Sequence, residues 1–282
     1  MKIAAVQMDV TIADVEANLT RIIERLRETR SADVSLTVFA ECAVSGYCFD
    51  SLDEARPFAQ PIPGPATDRI SGACAKLGGF AVFGMLEADG ERLYNAAVLV
   101  GPEGVIGSYR KIHLPFLGID RFTTLGNRPF AVHDVDGVRV GMHICYDGAF
   151  PESARVMTLE GADLIVLPTN WPPGSECMAA YGVNMRAMEN AVYYLSVNRV
   201  GTERGFRFIG RSRICDPSGD TLAESTDEQP TILYADIDPA KARQKRIIRV
   251  PDKHEIDRLA DRRPEMYSAL VAQHRRARRV RE

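Results

Sequence analysis

Apolar runs of strand length alternate along this chain with segments whose apolar residues recur at helical spacing, and that alternation limits the fold to mixed sheets covered by helices. A strand near Lys2 to Met8 precedes a helix in which Val15, Leu19, Ile22, Ile23 and Leu26 follow Asp14, a good N-cap. The run "VSLTVFAE" predicts a second strand, and Thr67 to Leu77 a helix that Gly78 and Gly79 terminate. Three strands follow, "GFAVFGMLEA", "YNAAVLV" and "VIGSYRK", the last two joined by a "GPEG" turn. Asp136-Gly137 predicts a tight hairpin between "FAVHDV" and "VRVGMHIC". Beyond Cys145 the pattern becomes helix from Pro151 to Gly161, strand "DLIVLPT", helix "ECMAAYGVNMRAMEN" and strand "AVYYLSVN". "FRFIGRSRIC", a "DPSG" turn and "TILYADI" come next, and then helices opening at Pro239 and Pro264.

The 282 residues are 45% hydrophobic and 26% charged, enough to bury a large core, and no Gly/Ser/Pro-rich linker divides them. One domain over 1–282 is expected, with a helical, basic tail from about 264. A net charge of −3 offers no general polyanion surface, and the one dense basic run, "HRRARRVRE", reads as a solvated helix end. Nucleic acid is therefore not an expected partner. The opening segment "MKIAAVQMDV" is broken by Gln7 and Asp9, so it reads as neither a secretory signal nor a membrane span, and a cytoplasmic location is expected. The six cysteines form no Cys-x-x-Cys pair and the five histidines no zinc-type spacing, so free thiols and no metal are expected. No Gly-x-Gly-x-x-Gly or Walker-type loop supports a nucleotide, and no cofactor is expected.

Cys42, Cys48, Cys74, Cys177 and Cys215 read as buried, inert, small apolar side chains. Cys145 differs by position. A turn from strand to helix projects its side chain into a cleft and aims backbone N–H groups at it, which stabilises a thiolate or an oxyanion. A thiol of ordinary pKa, about 8.5, needs a base or a cation beside it. His143, two residues earlier, would give a Cys/His dyad, but i and i+2 side chains on a strand stand about 6 to 7 Å apart, so His143 reads as a core or pocket-wall residue. Glu41, after "LTVFA", is either a strand-end carboxylate or a solvated loop residue. Lys111, after "GVIGSYR", is either a strand-end cation or an exposed lysine.

Together, "FAECAVSGY", "YRKIHLP" and "GMHICYDGAFPE" resemble the nitrilase superfamily, the carbon-nitrogen hydrolases. "GADLIVLPTNWP", "RAMENAVYYLSVNRVG" and "GRSRICDPSGD" extend the resemblance from residue 2 to about 238. It implies a four-layer α-β-β-α sandwich, a homodimer built through helices next to the site, and a triad of Glu41 as general base, Lys111 as electrostatic stabiliser and Cys145 as nucleophile. The Lys111 ammonium and the N–H of Tyr146 would hold the oxyanion of an amide-type carbonyl. Tyr47, Asn170 and Trp171 become candidates for substrate binding, Trp171 as a pocket roof or a packing residue.

Many members carry a second glutamate after the lysine; the loop here reads "LPFLGIDRFTTLG", where Asp120 is either its replacement or a salt-bridged loop aspartate. "CYDGAFPE" resembles the amidase and carbamoyl-hydrolase branches, which implies a small amide substrate, a primary ω-amide or monoamide ahead of an N-carbamoyl amino acid, with a nitrilase or a catalytically silent member as lesser alternatives.

Overall fold

Leu36–Phe39 is buried along its whole length, and the directions of its side chains define the layers. Leu36 and Val38 join a core shared with the second half of the chain, whereas Phe39 packs with apolar residues of the first half's helices. Because strand side chains alternate between faces, this strand is covered on both. A computed structural model gives the fold of residues 1–272.

The first half contains β1 (Lys2–Gln7), α1 (Val15–Ser31), β2 (Leu36–Phe39), α2 (Leu52–Ala55), α3 (Pro65–Leu77), β3 (Phe80–Asp89), β4 (Arg92–Gly101) and β5 (Gly104–Arg110). The second contains β6 (Val132–Val135), β7 (Val138–Met142), α4 (Pro151–Leu159), β8 (Leu164–Thr169), α5 (Val183–Asn190), β9 (Tyr193–Asn198), the short pair β10 (Thr202–Glu203) and β11 (Phe206–Arg207), then β12 (Arg213–Cys215) and β13 (Thr221–Glu224). β14 (Thr231–Asp236) returns to the first sheet, and α6 (Pro239–Arg243) precedes a hairpin of β15 (Ile247–Val250) and β16 (His254–Ile256).

One six-stranded sheet has the order β14-β1-β2-β3-β4-β5, the other β13-β12-β9-β8-β7-β6. Each has three consecutive parallel strands at its centre, β1 to β3 and β7 to β9, flanked by antiparallel neighbours. Ile3, Ala5, Val82, Ala97 and Leu99 face the second sheet's Val140, Met142, Leu164 and Val166, while Val6, Ala81, Phe83, Val98 and Val100 meet Leu19, Ile22, Ile70 and Cys74 of α1 and α3. With α4 and α5 on the far side of the second sheet, the layers run helix, sheet, sheet, helix, as expected.

Local signals account for most boundaries. The Asp14 carboxylate accepts the N–H of Ala17 and opens α1, and α3 and α4 both start on proline. Asp136 and Gly137 both take positive φ, 49° and 80°, which suits the hairpin they close. Elsewhere the structure refines the reading or departs from it. "FRFIGRSRIC" divides into two short strands, β11 and β12, with Gly210 and Arg211 at φ 59° and 60° between them. The helix from Pro239 is only one turn and a hairpin follows it, while Pro264 opens 3-10 turns at Pro264–Met266 and Ser268–Leu270. The basic run beyond residue 272 lies outside the described residues. Cys177 is exposed, not buried; the other five cysteines are buried as read. Among the described residues no helix is long and apolar enough to cross a membrane.

Gly84, in β3, lies under the segment that carries Glu41: a Cβ there would stand 2.7 Å from Glu41 Cα and 2.8 Å from Ala40 O. Gly84→Ala should therefore cost about 1–3 kcal/mol. Gly72, exposed within α3 with nothing near its Cβ position, should gain up to about 1 kcal/mol on change to alanine. Urea unfolding of the two variants tests the contrast, and equal effects would contradict the packing described.

Candidate active site

Each candidate residue stands just beyond the carboxyl end of a strand. Glu41 lies two residues past β2, Lys111 directly past β5, Cys145 three past β7 and Asn170 directly past β8. Asp120 sits in a 3-10 turn, Gly118–Arg121. Glu41, Lys111, Asp120 and Tyr47 are all essentially inaccessible, and Cys145 is 6% exposed.

The Lys111 ammonium donates to Oε1 of Glu41 at 2.7 Å and to Oδ2 of Asp120. Tyr47 donates its hydroxyl to the same Asp120 oxygen at 2.9 Å. Gly118, at φ 48°, lets the turn lie against the Tyr47 ring, where a Cβ would collide. Asn95 of β4 donates from Nδ2 to Glu41 Oε1 at 2.7 Å and to Asp120 Oδ1 at 2.9 Å. Burial opposes the charge on Lys111, but Asp120 and Glu41 outweigh it and hold the ammonium protonated well above its ordinary range. Burial raises the proton affinity of Glu41, and Asp120 adds to that while Lys111 opposes it. Oε2 of Glu41 is buried without a hydrogen-bond partner among the described residues.

Cys145 has φ 48°, an uncommon left-handed conformation for a side-chain-bearing residue, and a 3-10 turn, Cys145–Ala149, follows it. The helix begins at Pro151 as expected, and the 3-10 turn stands before it, so no α-helix N-terminus abuts the sulfur. Burial and the neighbouring Glu41 hold the thiol protonated, against the Lys111 charge and the backbone N–H of Asn170. Both side-chain polar atoms of Asn170 are also buried without a partner. Tyr146 is 42% exposed with its ring edge-on to Phe150, whereas Trp171 is buried and belongs to the large core cluster around the second sheet.

His143 does not face the thiol. Its ring lies between Ser153 Oγ at 2.9 Å and Tyr194 Oη at 2.6 Å, and burial lowers its pKa to about 4, so it is a neutral core histidine.

Several residues that organise the site were not anticipated. Asp147 accepts from Tyr109 Oη (2.8 Å), Ile144 N (3.0 Å) and His113 N (3.0 Å), and its Oδ1 lies 2.7 Å from His113 Nδ1, which ties the Lys111 loop to the Cys145 loop. Glu203 accepts the N–H groups of Tyr47 and Cys48 at 2.9 and 2.6 Å, and is itself held by the buried Arg199. The one available signal was polar residues inside apolar runs, Asn95 in "YNAAVLV" above all. Among the described residues no three His, Cys, Asp or Glu side chains are grouped to hold a metal.

Comparisons with known proteins agree with this geometry. The family model for carbon-nitrogen hydrolases matches residues 2–247. A protein named nitrilase from Pyrococcus abyssi is 38% identical over 270 residues, 95% of this chain and 99% of that one. An (R)-stereoselective amidase from a Pseudomonas species is 33% identical over 253 residues, 87% and 88% of the two chains. The crystal structure of an amidase from Nesterenkonia sp., 24% identical, superposes with a TM-score of 0.79 over 96% of each chain. A cysteine, a carboxylate and an ammonium gathered at the strand ends of two stacked sheets, with a family match across nearly the whole chain, lead to one statement: this chain belongs to the carbon-nitrogen hydrolase family.

Proposed function

We propose that this chain hydrolyses a small primary amide to ammonia and a carboxylic acid through a thioester on Cys145. The observation that carries the reading is the pairing of a protonated thiol with Glu41, a buried base whose Oε2 is unclaimed while its Oε1 is saturated. Glu41 takes the thiol proton as sulfur attacks the carbonyl carbon, so no free thiolate has to persist in a dry site. The C=O electron pair moves onto oxygen, and the Lys111 ammonium and a backbone N–H stabilise that charge. Collapse breaks the C–N bond, the Glu41 proton leaves with ammonia, and the thioester remains. Water, giving a proton to Glu41, then attacks the thioester, and sulfur recovers that proton as the acid departs.

Asp120 takes the place of the family's second glutamate, bonded to Lys111 opposite Glu41. The names of the similar proteins divide between amidase and nitrilase, so the nitrile is the second reading. An amide yields an oxyanion, whereas a nitrile yields a nitrogen that must be protonated, and one pocket seldom serves both equally. Ammonia release from ω-amides, aliphatic amides, carbamoyl compounds and nitriles, ranked by kcat/KM, tests this. An amide should lead; a leading nitrile or carbamoyl compound would overturn the choice.

We further read the chain as one domain acting in the cytoplasm as a homodimer. Val156, Leu159, Tyr181 and Met185, on α4 and around the start of α5, are 40–73% exposed and supply an apolar face for a second copy. Light scattering should give twice the chain mass, and Tyr181→Asp should lower it.

Cys145→Ala should abolish turnover with little change in melting temperature. Lys111→Ala should cost at least ~10² in rate. His143→Ala should mainly lower stability, and the reverse ranking would favour a Cys/His mechanism. Since a protonated Glu41 cannot accept the thiol proton, activity should fall with decreasing pH through an acid limb above the ordinary carboxylate range. Asp120→Asn removes the charge that raises Glu41 and should move that limb down. Stopped assays across pH, with protein integrity checked at each point, measure both.

A further inference from the structure

We infer that Asn95 is a positioning residue whose carboxamide bridges the two buried carboxylates and leaves Oε2 of Glu41 as the oxygen open to the thiol. The inference rests on the proposed role of Glu41 as base.

Asn95 is 1% exposed on β4, in a strand otherwise almost wholly apolar at its buried positions. An amide left unpaired there would cost about 1–3 kcal/mol. Its partners account for it. Nδ2 has two hydrogens, and they go to Glu41 Oε1 at 2.7 Å and Asp120 Oδ1 at 2.9 Å. Ionised carboxylates only accept, so the nitrogen, not the oxygen, must face them. The oxygen points the other way and accepts the Cys42 thiol at 3.6 Å, which fixes the amide against rotation. The Asn95 carbonyl accepts the Lys111 N–H at 2.8 Å, so the residue that holds the carboxylates also holds the backbone of the cation.

The shared cation gives this bridge its importance. The groups facing Glu41 are the Lys111 ammonium beyond β5, the Asp120 carboxylate in the turn, the thiols of Cys145 and Cys42, and the Tyr47 hydroxyl. The Lys111 ammonium is bonded to both carboxylates. Asn95 supplies a donor to each without adding charge, which keeps Glu41 ionised in the cleft and occupies the oxygen that also binds Lys111. Without it Glu41 would keep a single donor on Oε1, bind its proton more tightly, and lose the distinction between a held oxygen and an open one.

The test is the pH dependence of Cys145 alkylation by chloroacetone, a small neutral reagent with no amide bond, read by peptide mass spectrometry, with amide turnover followed in parallel. The wild type should show an acid limb that Glu41→Gln abolishes. In Asn95→Leu, similar in volume but without donors, that limb should move up by roughly one pH unit. In Asn95→Ser, which keeps one donor, it should move less, with melting close to wild type. An unmoved limb in a folded variant overturns the inference, and if the leucine variant does not fold, the serine variant decides. Alkylation needs no amide substrate, so a wild type that alkylates with this limb but cleaves no amide would refute the proposed activity while leaving the role of Asn95 decided by the variants.

Discussion

The Lys111 ammonium, buried between Glu41 and Asp120, is the interaction on which the arrangement depends. Two carboxylates this far from water would repel each other and take up protons, and removing one partner of a buried charge pair typically costs about 3–5 kcal/mol. The cation lets both remain close. Burial first, with the neighbouring carboxylate charge added to it, keeps the thiol beside the cluster protonated and raises the proton affinity of Glu41. The same charges thus hold the loops together and set the chemistry they can perform.

The two sheets prepare this cluster by repeating one device. In each, three parallel strands are crossed by helices on the outer face, so their carboxyl ends open in a common direction along that sheet. The inner faces pack on one another and leave the strand-end loops to meet. Glu41, Lys111 and Asp120 come from the first half and Cys145 and Asn170 from the second. Cross-ties keep the halves in register: Asp147 against His113 and Tyr109, and Glu203 against the backbone of Tyr47 and Cys48. Arg199 extends the second tie to Asp9 beyond β1.

Much of this was readable from residues alone because strands and helices here announce themselves through apolar spacing, caps and breakers. Glu41, Lys111 and Cys145 were visible as polar residues closing apolar runs, and the family resemblance joined them. Asn95, Asp147 and Glu203 were not, because their roles exist only across contacts 54, 38 and 156 residues apart in sequence. No local pattern encodes such a pairing. At Cys145 the proline marked where α4 begins, but it carries no information about the 3-10 turn inserted before it. The helix from Pro239 stays short and Pro264 opens only 3-10 turns because a proline at a first helical position permits a helix without supplying the buried face that would sustain one.

His143 carries a consequence for how the protein tolerates acid. Its ring, held between Ser153 and Tyr194, is neutral in the fold, with its pKa lowered to about 4 by burial, whereas an unfolded histidine titrates near 6.5. The folded value is the lower one, so protonation favours the unfolded chain. The stability this residue contributes is complete above about pH 6.5 and drains away as pH falls towards 4, a loss of order 3 kcal/mol. Because His143 lies two residues before Cys145 and bonds Ser153 of α4, acidification weakens the fold beside the proposed nucleophile. On the proposed mechanism the lower pH boundary of this protein is set from two sides at one place, by a base that fills with protons and by a core that cannot accept them.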